Sequence, residues 1–432
     1  MLKTFLYEGN SNEIVDKLNG RKENINKEVS ESVEAILEDV KNNGDKAIIK
    51  YAEKFDGFKV NDIKDIIATE NEIEEGAKNA GENFIRILNR AKEQIIEFHK
   101  NQIEKSWSIY KENGVIMGQL VRPLQRIAVY VPGGTAAYPS TVLMNVLPAK
   151  LAGVKEIIMI TPVKKDGKIP NVILAAAKVC GIDTIYKIGG AQSIGAVAYG
   201  TKTIKKVDKI VGPGNIYVAT AKKLVFGTVD IDMIAGPSEV LVIADEQANA
   251  KYVVADLMSQ AEHDKLSSSI LITNSEKLIN DVNSEINRQM EYLPRNEIIK
   301  YSMENFGAAI KVKDLDEAFD MANEIAPEHL EVLVQDPISQ LPKIKNAGSI
   351  FLGENSPEPL GDYMSGTNHV LPTSGTAKFY SALGVYDFVK YSSYSYYPKN
   401  VLKSFKDDVI EFANLEGLDA HANSIKVRFE EE

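Results

Sequence analysis

Between residues 126 and 215 the chain repeats one pattern, in which an apolar run of about five residues stops at a glycine or a proline. The runs are RIAVYVPGG, EIIMITPV, TIYKIGG and KIVGPG. Stretches with helical spacing separate them, among them STVLMNVLPAKLAGV and PNVILAAAKVCG. Short apolar strands that alternate with helices form right-handed β-α-β units around a parallel sheet buried on both faces. The pattern therefore predicts an α/β fold.

A second series of the same kind follows, with the runs EVLVIAD, SSILITNS, AAIKVKD and GSIFLG. We predict two Rossmann-like, doubly wound α/β domains, a helical N-terminal segment that packs on the second of them, and a small helical C-terminal tail. The predicted boundaries are an N-terminal arm at 1–27, a discontinuous α/β domain at 28–126 and 239–383, an inserted Rossmann-like domain at 127–238, and the tail at 384–432.

Charge and cysteine content exclude several classes of partner and site. A net charge of -11 argues against nucleic acid and anionic membranes, because both bind basic surfaces. No apolar run approaches the roughly 18 residues that span a bilayer, and the first residues lack the apolar stretch of a signal peptide. Cys180 is the only cysteine, which excludes disulfides within the chain and cysteine-rich metal sites. We expect a reduced, cytoplasmic protein in which Cys180 is a small buried apolar residue.

Three glycine-rich turns follow predicted strands, at 132–140, 189–200 and 212–223. Each could place a helix N-terminus beside a ligand, where open backbone N–H groups and the helix dipole favour phosphate. None has the G-x-G-x-x-G spacing, and the second strand ends in TPVKK, without the acidic residue that usually holds the adenosine ribose. From these turns alone, a nucleotide site and a set of merely structural tight turns are both open.

Polar clusters in the second half of the chain hold four of its five histidines. Each cluster supplies a carboxylate or amide near the ring: Gln260 with His263, Glu328 with His329, Asp362 with His369, and Glu416 with His421. Each also has a plainer interpretation, respectively a polar helix edge, a helix cap after a proline, a turn aspartate and a frayed tail. The fifth histidine, His99, has no such neighbours, and we interpret it as a helix-surface residue.

The clusters also fit a metal site. A borderline-soft ion such as Zn²⁺ accepts imidazole nitrogen and carboxylate oxygen, and with one cysteine the site must be built from nitrogen and oxygen ligands. Two histidines, an aspartate and a glutamine carbonyl would suffice. Such a site should leave positions for substrate, as catalytic zinc sites do. Glu328 and His329 are adjacent and would diverge on a helix, so they are candidates for two separate acid/base groups.

Several long motifs, taken together, resemble the histidinol dehydrogenase family over nearly the whole chain. They are VYVPGGTAAYPSTVLMNVLPAKLAGV, GGAQSIGAVAYGT, IVGPGNIYVATAKKLVFGTVDIDMIAGPSE, DLMSQAEHD, APEHLE, GDYMSGTNHVLPTSGTAKFYSALGV and EGLDAHA. The resemblance implies a zinc-dependent, NAD-dependent oxidation of L-histidinol to L-histidine through L-histidinal, at the end of histidine biosynthesis. It also implies an obligate homodimer with a swapped C-terminal tail.

The resemblance assigns the family's functional roles to the matching residues of this chain. The resemblance implies zinc ligands at Gln260, His263, Asp362 and His421, NAD contacts at Tyr130, Gln192 and Asn215, and an acid/base pair at Glu328 and His329. It implies substrate contacts at Ser238, Gln260, His263, His329, Asp362, Glu416 and His421. Glu416 and His421 would come from the partner subunit, and His369 is expected near the substrate. The inserted domain would bind NAD, and the tail would form the dimer.

Other functions stay open beside this one. In a zinc hydrolase, Glu328 would activate a zinc-bound water and the glycine turns would be structural. A non-catalytic metal- or nucleotide-binding protein would not depend on Glu328 at all. A dehydrogenase of another amino alcohol is a third alternative, since the sequence does not show the shape of the pocket.

Overall fold

The computed structural model describes residues 2–7, 27–133 and 137–430, and the chain divides into two units. The first unit comprises Met1–Gln102 and Leu124–Phe388, and the second comprises Ile103–Pro123 and Val389–Glu432. No helix in the described ranges combines the length and the apolar character needed to cross a membrane.

The strands of the described residues form three sheets, two parallel ones in the first unit and an antiparallel one in the second. They are β1 (Lys3–Leu6), β2 (Trp107–Tyr110), β3 (Ile116–Pro123), β4 (Arg126–Tyr130), β5 (Glu156–Ile160), β6 (Ile185–Tyr186), β7 (Lys209–Val211), β8 (Asp230–Ile231), β9 (Glu239–Ala244), β10 (Ser268–Thr273), β11 (Gly307–Lys311), β12 (His329–Leu333), β13 (Ser349–Leu352) and β14 (Val389–Tyr396).

The α-helices of the described residues cover the parallel sheets in the first unit and follow β14 in the second. They are α1 (Lys27–Asn43), α2 (Asp45–Tyr51), α3 (Glu70–Ala80), α4 (Glu82–His99), α5 (Pro139–Ala152), α6 (Asn171–Cys180), α7 (Gly190–Tyr199), α8 (Ile216–Val225), α9 (Ala250–Ala261), α10 (Glu276–Met290), α11 (Asn296–Phe306), α12 (Leu315–Ile325), α13 (Glu358–Tyr363), α14 (Lys399–Ser404), α15 (Lys406–Leu415) and α16 (Asp419–Lys426).

The five-stranded sheet has the order β6-β5-β4-β7-β8, and all its neighbouring strands are parallel. Counted along the chain this is the 3-2-1-4-5 order of nucleotide-binding sheets. Strands β4 and β5 are almost wholly buried, which explains their continuous apolar sequences. Helix α5 is buried from Thr141 to Ala149 and therefore shows no polar stripe. The predicted α/β fold with parallel sheets is confirmed.

The six-stranded sheet has the order β1-β11-β10-β9-β12-β13 and is also parallel throughout. Its central strands β9, β10 and β12 are fully buried. The edge strand β1 is a departure from the sequence prediction, which has only an arm there. Four mostly exposed residues carry little strand signal, and their pairing partner Ala308–Lys311 lies some 300 residues away.

Helices α1 to α4 pack on the five-stranded sheet, so the predicted packing of this segment on the other sheet is wrong. Their side chains Val33, Ile48 and Ile95 share one core with Ile127 of β4 and Leu143 of α5. Helical periodicity identifies which face of a helix is apolar, but it does not identify the surface that covers this face.

The second unit contains the antiparallel sheet β14-β3-β2, in which Val389 pairs with Pro123 and Tyr396 with Ile116. The prediction of a helical tail at 384–432 is therefore wrong at its start, where a strand replaces a helix. The sequence of β14, VKYSSYSY, has few aliphatic residues because most of the strand is exposed, and this conceals the strand signal. Helices α14 to α16 make the rest of the tail helical, as predicted.

Cys180 and His99, which lie outside the predicted sites, are both buried. Cys180 is buried, and burial raises the pKa of its thiol to about 12, which confirms it as a small core residue. His99 is fully buried rather than on a helix surface, so that interpretation is wrong. Its Nδ1 atom lies 2.7 Å from Oε1 of Gln102, and this local partner makes the burial of the ring possible.

Candidate active site

One candidate site lies at the carboxyl ends of β4 and β7, where sheets of this order bind their ligands. Tyr130 ends β4, and its hydroxyl accepts a 3.4 Å hydrogen bond from the backbone N–H of Gly190, the first residue of α7. Gly212 follows β7 with a φ of 107°, and a Cβ atom there would lie 2.2 Å from the carbonyl oxygen of Tyr130. Glycine is therefore required where this turn meets the end of β4.

Gln192 and Asn215, the other two predicted NAD contacts, have different surroundings. Gln192 is 2% exposed, and its Oε1 atom has no hydrogen-bond partner among the described residues. A buried acceptor without a donor is unfavourable, so this oxygen suits a ligand that donates. Asn215 is exposed and caps α8, since its Oδ1 accepts from the N–H groups of Tyr217 at 3.1 Å and Val218 at 3.2 Å.

These contacts bring Tyr130 together with the first turn of α7 and with the turn that leads to Asn215. The glycine-rich turn predicted at 132–140 falls partly outside the described residues, because 134–136 are not among them. Within the described residues, the two remaining glycine-rich turns bring two helix N-termini and the buried amide of Gln192 to one edge of the sheet. This arrangement fits the phosphates and polar groups of a dinucleotide.

The second candidate site centres on Glu328 and His329, which lie at the start of β12 and are both buried. Oε2 of Glu328 accepts a 2.9 Å hydrogen bond from the backbone N–H of Glu239, and Nδ1 of His329 lies 2.9 Å from the carbonyl oxygen of the same residue. A carbonyl can only accept, so Nδ1 carries the proton and Nε2 is left as an acceptor. Oε2 of Glu328 and Nδ1 of His329 are 3.7 Å apart, so the pair acts at one place and does not cap a helix.

Gln260 approaches the same ring from α9. It is fully buried, and its Nε2 atom lies 3.2 Å from Nδ1 of His329; since both nitrogens are donors in this tautomer, this is a contact and not a hydrogen bond. Its Oε1 atom has no hydrogen-bond partner in the described part of the chain. His263 follows α9, donates from its backbone N–H to the carbonyl oxygen of Gln260 at 3.1 Å, and lies within electrostatic reach of Asp362. A buried amide oxygen without a partner, next to histidines and a carboxylate, fits a metal ligand.

Helix α13 brings two carboxylates to this cluster. Oε1 of Glu358 lies 3.8 Å from Nε2 of His329, and Asp362 follows one helical turn later. Nδ1 of His369 lies 3.2 Å from the carbonyl oxygen and 3.5 Å from Oδ1 of Asp362. Ligand atoms of His329, Glu358 and Asp362 all lie within 4.8 Å of one another, which is a second grouping that could hold a metal ion.

Glu358 is the main residue that sequence reasoning misses. It is 2% exposed, and its Oε1 atom has no hydrogen-bond partner among the residues described. The spacing of four residues between Glu358 and Asp362 is a usable signal, because such pairs share one helix face. The proline-rich sequence ENSPEPLGD conceals the short helix and therefore this relation.

Burial dominates the protonation of the cluster. It raises the pKa of Glu328 well above the ordinary value, with the charge of Glu239 adding to the shift, and it raises the pKa of Glu358 to about 9. It lowers the pKa of His329 to about 4, so this ring is neutral at pH 7. Burial is the largest influence on Asp362 and opposes its ionisation, but the hydrogen bond from His369 and the attraction of the surrounding histidines together outweigh it and lower the pKa of Asp362.

The remaining predicted residues are less closely tied to this cluster. Ser238 immediately precedes β9 and is half-buried, and its carbonyl oxygen accepts from the N–H of Ser268 at 3.0 Å. Glu416 and His421 belong to the second unit, where Glu416 follows α15 and His421 lies on α16. Both are exposed, and their contribution to a partner's site stays a prediction.

Comparison with known proteins identifies the family. The family model for histidinol dehydrogenase matches residues 19–429. The chain is 65% identical over 431 residues to the histidinol dehydrogenase of Lactococcus lactis, covering 100% of both chains. It is 57% identical over 404 residues to that of Clostridium acetobutylicum, covering 94% of this chain and 93% of the relative. A crystal structure of histidinol dehydrogenase from Elizabethkingia anophelis matches with a TM-score of 0.93 and 38% identity, covering 100% of this chain and 98% of that one. The chain therefore belongs to the histidinol dehydrogenase family and is an oxidoreductase.

Proposed function

We propose that this chain oxidises L-histidinol to L-histidine through L-histidinal, in two NAD-dependent steps at a zinc site. Membership of the family supports the substrate. The observation that carries the mechanism is the buried pair of Glu328 and His329, both held by the backbone of Glu239. This pair offers two bases at one place, and the reaction requires two different proton abstractions.

Zinc would be held by Gln260, His263, Asp362 and, from a partner subunit, His421. The Oε1 atom of buried Gln260, which has no partner among the described residues, supports this set, because zinc would give it one. When bound, zinc supplies a Lewis acid that fixes the imidazole and the amine of the substrate. Ser238 and Glu416 would contact the substrate as well, and His369 would hold Asp362 in place through the contact to its carboxylate.

In the first oxidation, Nε2 of His329 would accept the proton of the substrate hydroxyl group, while a hydride passes to NAD from the carbon that bears this hydroxyl. The ring is ready for this role because Nδ1 is committed to the carbonyl of Glu239 and burial keeps the imidazole neutral. In the second oxidation, Glu328 would take a proton from water as the water adds to the aldehyde. Its raised pKa makes its carboxylate a stronger base than an exposed glutamate. His329 would then accept the proton released in the second hydride transfer.

NAD would bind at the carboxyl edge of the five-stranded sheet, in the domain predicted at 127–238, where Tyr130, Gln192 and Asn215 lie. Buried Gln192, whose Oε1 atom has no protein partner among the described residues, supports this placement. The close approach of Gly212 to Tyr130 supports it as well, since it brings the turn that leads to Asn215 against the end of β4.

We also propose a homodimer formed through the second unit. This unit exposes large apolar side chains of the kind that subunit interfaces bury: Trp107, Ile109, Tyr110, Phe412 and Leu415. A dimer would bring Glu416 and His421 of one chain to the site of its partner. The cytoplasmic location expected from the single cysteine also stays a proposal.

The experiment that tests the function is anaerobic incubation of the purified protein with L-histidinol and NAD. We expect two NADH for each L-histidine formed, and loss of this activity after treatment with a chelator, with recovery on adding zinc. Other amino alcohols serve as controls for the substrate. A protein that forms no NADH from L-histidinol, with or without added zinc, would not have the proposed function.

Two variants separate the two metal groupings. Replacing Gln260 with alanine should weaken zinc binding by about 100-fold or more. Loss of a residue that only hydrogen-bonds to a metal ligand already lowers metal affinity by about 10- to 100-fold, and Gln260 would be a ligand itself. Glu358→Gln should keep the affinity for zinc within about tenfold, since Glu358 is not a ligand in the proposed set. Competition with a chromogenic chelator measures both. If Glu358→Gln loses zinc and Gln260→Ala keeps it, the ion belongs to His329, Glu358 and Asp362 instead.

A further inference from the structure

Asp56 is a half-buried aspartate that the proposed mechanism does not use. It ends a π-helical turn, Ala52–Asp56, that continues directly from α2. Its Oδ2 atom is buried and has no hydrogen-bond partner among residues 2–7, 27–133 and 137–430. Burial raises its pKa to about 6. A carboxylate oxygen without a donor at a functional edge of a sheet suits a ligand that brings its own hydroxyl groups.

The path of the chain places Asp56 beside the proposed NAD site. Asp45, at the start of α2, accepts hydrogen bonds from the N–H of Thr203 at 3.3 Å and its hydroxyl at 2.8 Å, just beyond the last residue of α7. Helix α2 packs against α7, and the π-helical turn that ends at Asp56 continues directly from α2. At that end, the charge of Asp56 acts on the hydroxyl of Tyr130, which accepts from Gly190.

The two residues that follow Asp56 lie against the loop that follows β5, the second strand of this sheet in chain order. A Cβ atom on Gly57 would lie 3.0 Å from the side chain of Lys165 in this loop. A Cβ atom on Gly167, in the same loop, would lie 2.5 Å from the ring of Phe58. The residues directly after Asp56 are thus packed on the loop 161–170.

This loop is where nucleotide-binding sheets of the same strand order carry the acidic residue that binds the adenosine ribose. Here the strand ends at Ile160, and the acid of the loop that follows, Asp166, is exposed and accepts a hydrogen bond from the backbone N–H of Lys168 at 3.2 Å. The structure brings a carboxylate to that place from a different part of the chain, more than a hundred residues earlier. Asp56, whose Oδ2 atom is buried without a partner among the described residues, is therefore a second carboxylate beside this loop.

We propose that Asp56 accepts hydrogen bonds from the adenosine ribose hydroxyls of NAD and excludes the 2′-phosphate of NADP. The inference rests on the proposed NAD-dependent function and adds a residue that sets the choice of cofactor. A carboxylate satisfies the ribose 2′-hydroxyl, whereas it repels the phosphate dianion that NADP carries at that position. Lys165 lies nearby, and removing the Asp56 charge should let this cation favour the phosphate.

The test compares Asp56→Asn and Asp56→Ala with the unchanged full-length protein, using NADH and NADPH as probes without L-histidinol. We expect the Kd for NADH, measured by fluorescence titration, to rise about 10- to 100-fold, as loss of a hydrogen bond to a charged group implies. The preference for NADH over NADPH should fall at least about tenfold. The melting temperature of Asp56→Asn should stay level or rise, because the variant removes a charge whose buried Oδ2 atom has no partner among the described residues.

Glu53→Gln is the matched control, since Glu53 lies in the same helical turn but is exposed. It should bind both cofactors as the unchanged protein does. If Asp56→Asn is folded and keeps both the Kd for NADH and the cofactor preference, Asp56 does not bind the ribose, while the proposed function stands. If the unchanged protein binds no NADH, the proposed function fails and this inference fails with it.

Discussion

Replacing Glu328 with glutamine should stop the reaction after the first oxidation. Glutamine keeps an oxygen that can accept the 2.9 Å hydrogen bond from the N–H of Glu239, so the local structure should survive. It cannot take a proton from water, and the loss of a general base lowers a rate by about 100- to 10,000-fold. We therefore expect one NADH per active site in a single-turnover experiment, with L-histidinal accumulating, and a second oxidation slowed by this factor.

Supplying L-histidinal directly isolates the affected step, because it bypasses the first hydride transfer. Glu354→Gln is the control. Glu354 is exposed and lies outside the cluster, so this variant makes the same change from glutamate to glutamine away from the site. It should give two NADH at the normal rate. A Glu328→Gln protein that also oxidises L-histidinal at the normal rate would show that water is activated by another group. Such a protein would be compatible with His329 serving both steps.

Replacing Lys222 with methionine should lower the free energy of unfolding by about 3–5 kcal/mol, the usual cost of breaking a buried ion pair from one side. Lys222 and Asp232 are paired, with side chains 2% and 1% exposed. Nζ of Lys222 donates to the carbonyl oxygen of Gly212 at 2.9 Å, and Oδ2 of Asp232 accepts from the N–H of Gly212 at 2.7 Å. The variant leaves a buried carboxylate without its cation next to the turn proposed to bind NAD. Urea denaturation measures the effect.

Lys223→Met is the matched control, because Lys223 is the next residue along α8 and is exposed. Its effect should stay within about 0.5 kcal/mol. The double variant Lys222→Met with Asp232→Leu should be more stable than the sum of the two single changes predicts, since it leaves no unpaired charge. Additive losses in the double variant, or a stability of Lys222→Met equal to that of Lys223→Met, would show that the pair does not stabilise the fold.

Much of the candidate site follows from local sequence, because its residues come in short clusters. Gln260 with His263, and Asp362 with His369, are close in the chain and lie close in the structure. Glu358 and Asp56 could not be identified in this way. Glu358 is separated from the histidine it contacts by 29 residues, and Asp56 reaches the sheet from a helical segment with no motif of its own.

The apolar runs alone determine the two parallel sheets, because a strand buried on both faces must be apolar along its whole length. Only the tertiary structure decides which surface each amphipathic element covers. It places helices α1 to α4 on the five-stranded sheet, adds β1 to an edge some 300 residues away in sequence, and turns Lys222 inward while Lys223 stays in solvent. The physical reason is that burial of a charge or an apolar face depends on partners distant in the chain, and local periodicity does not encode those partners.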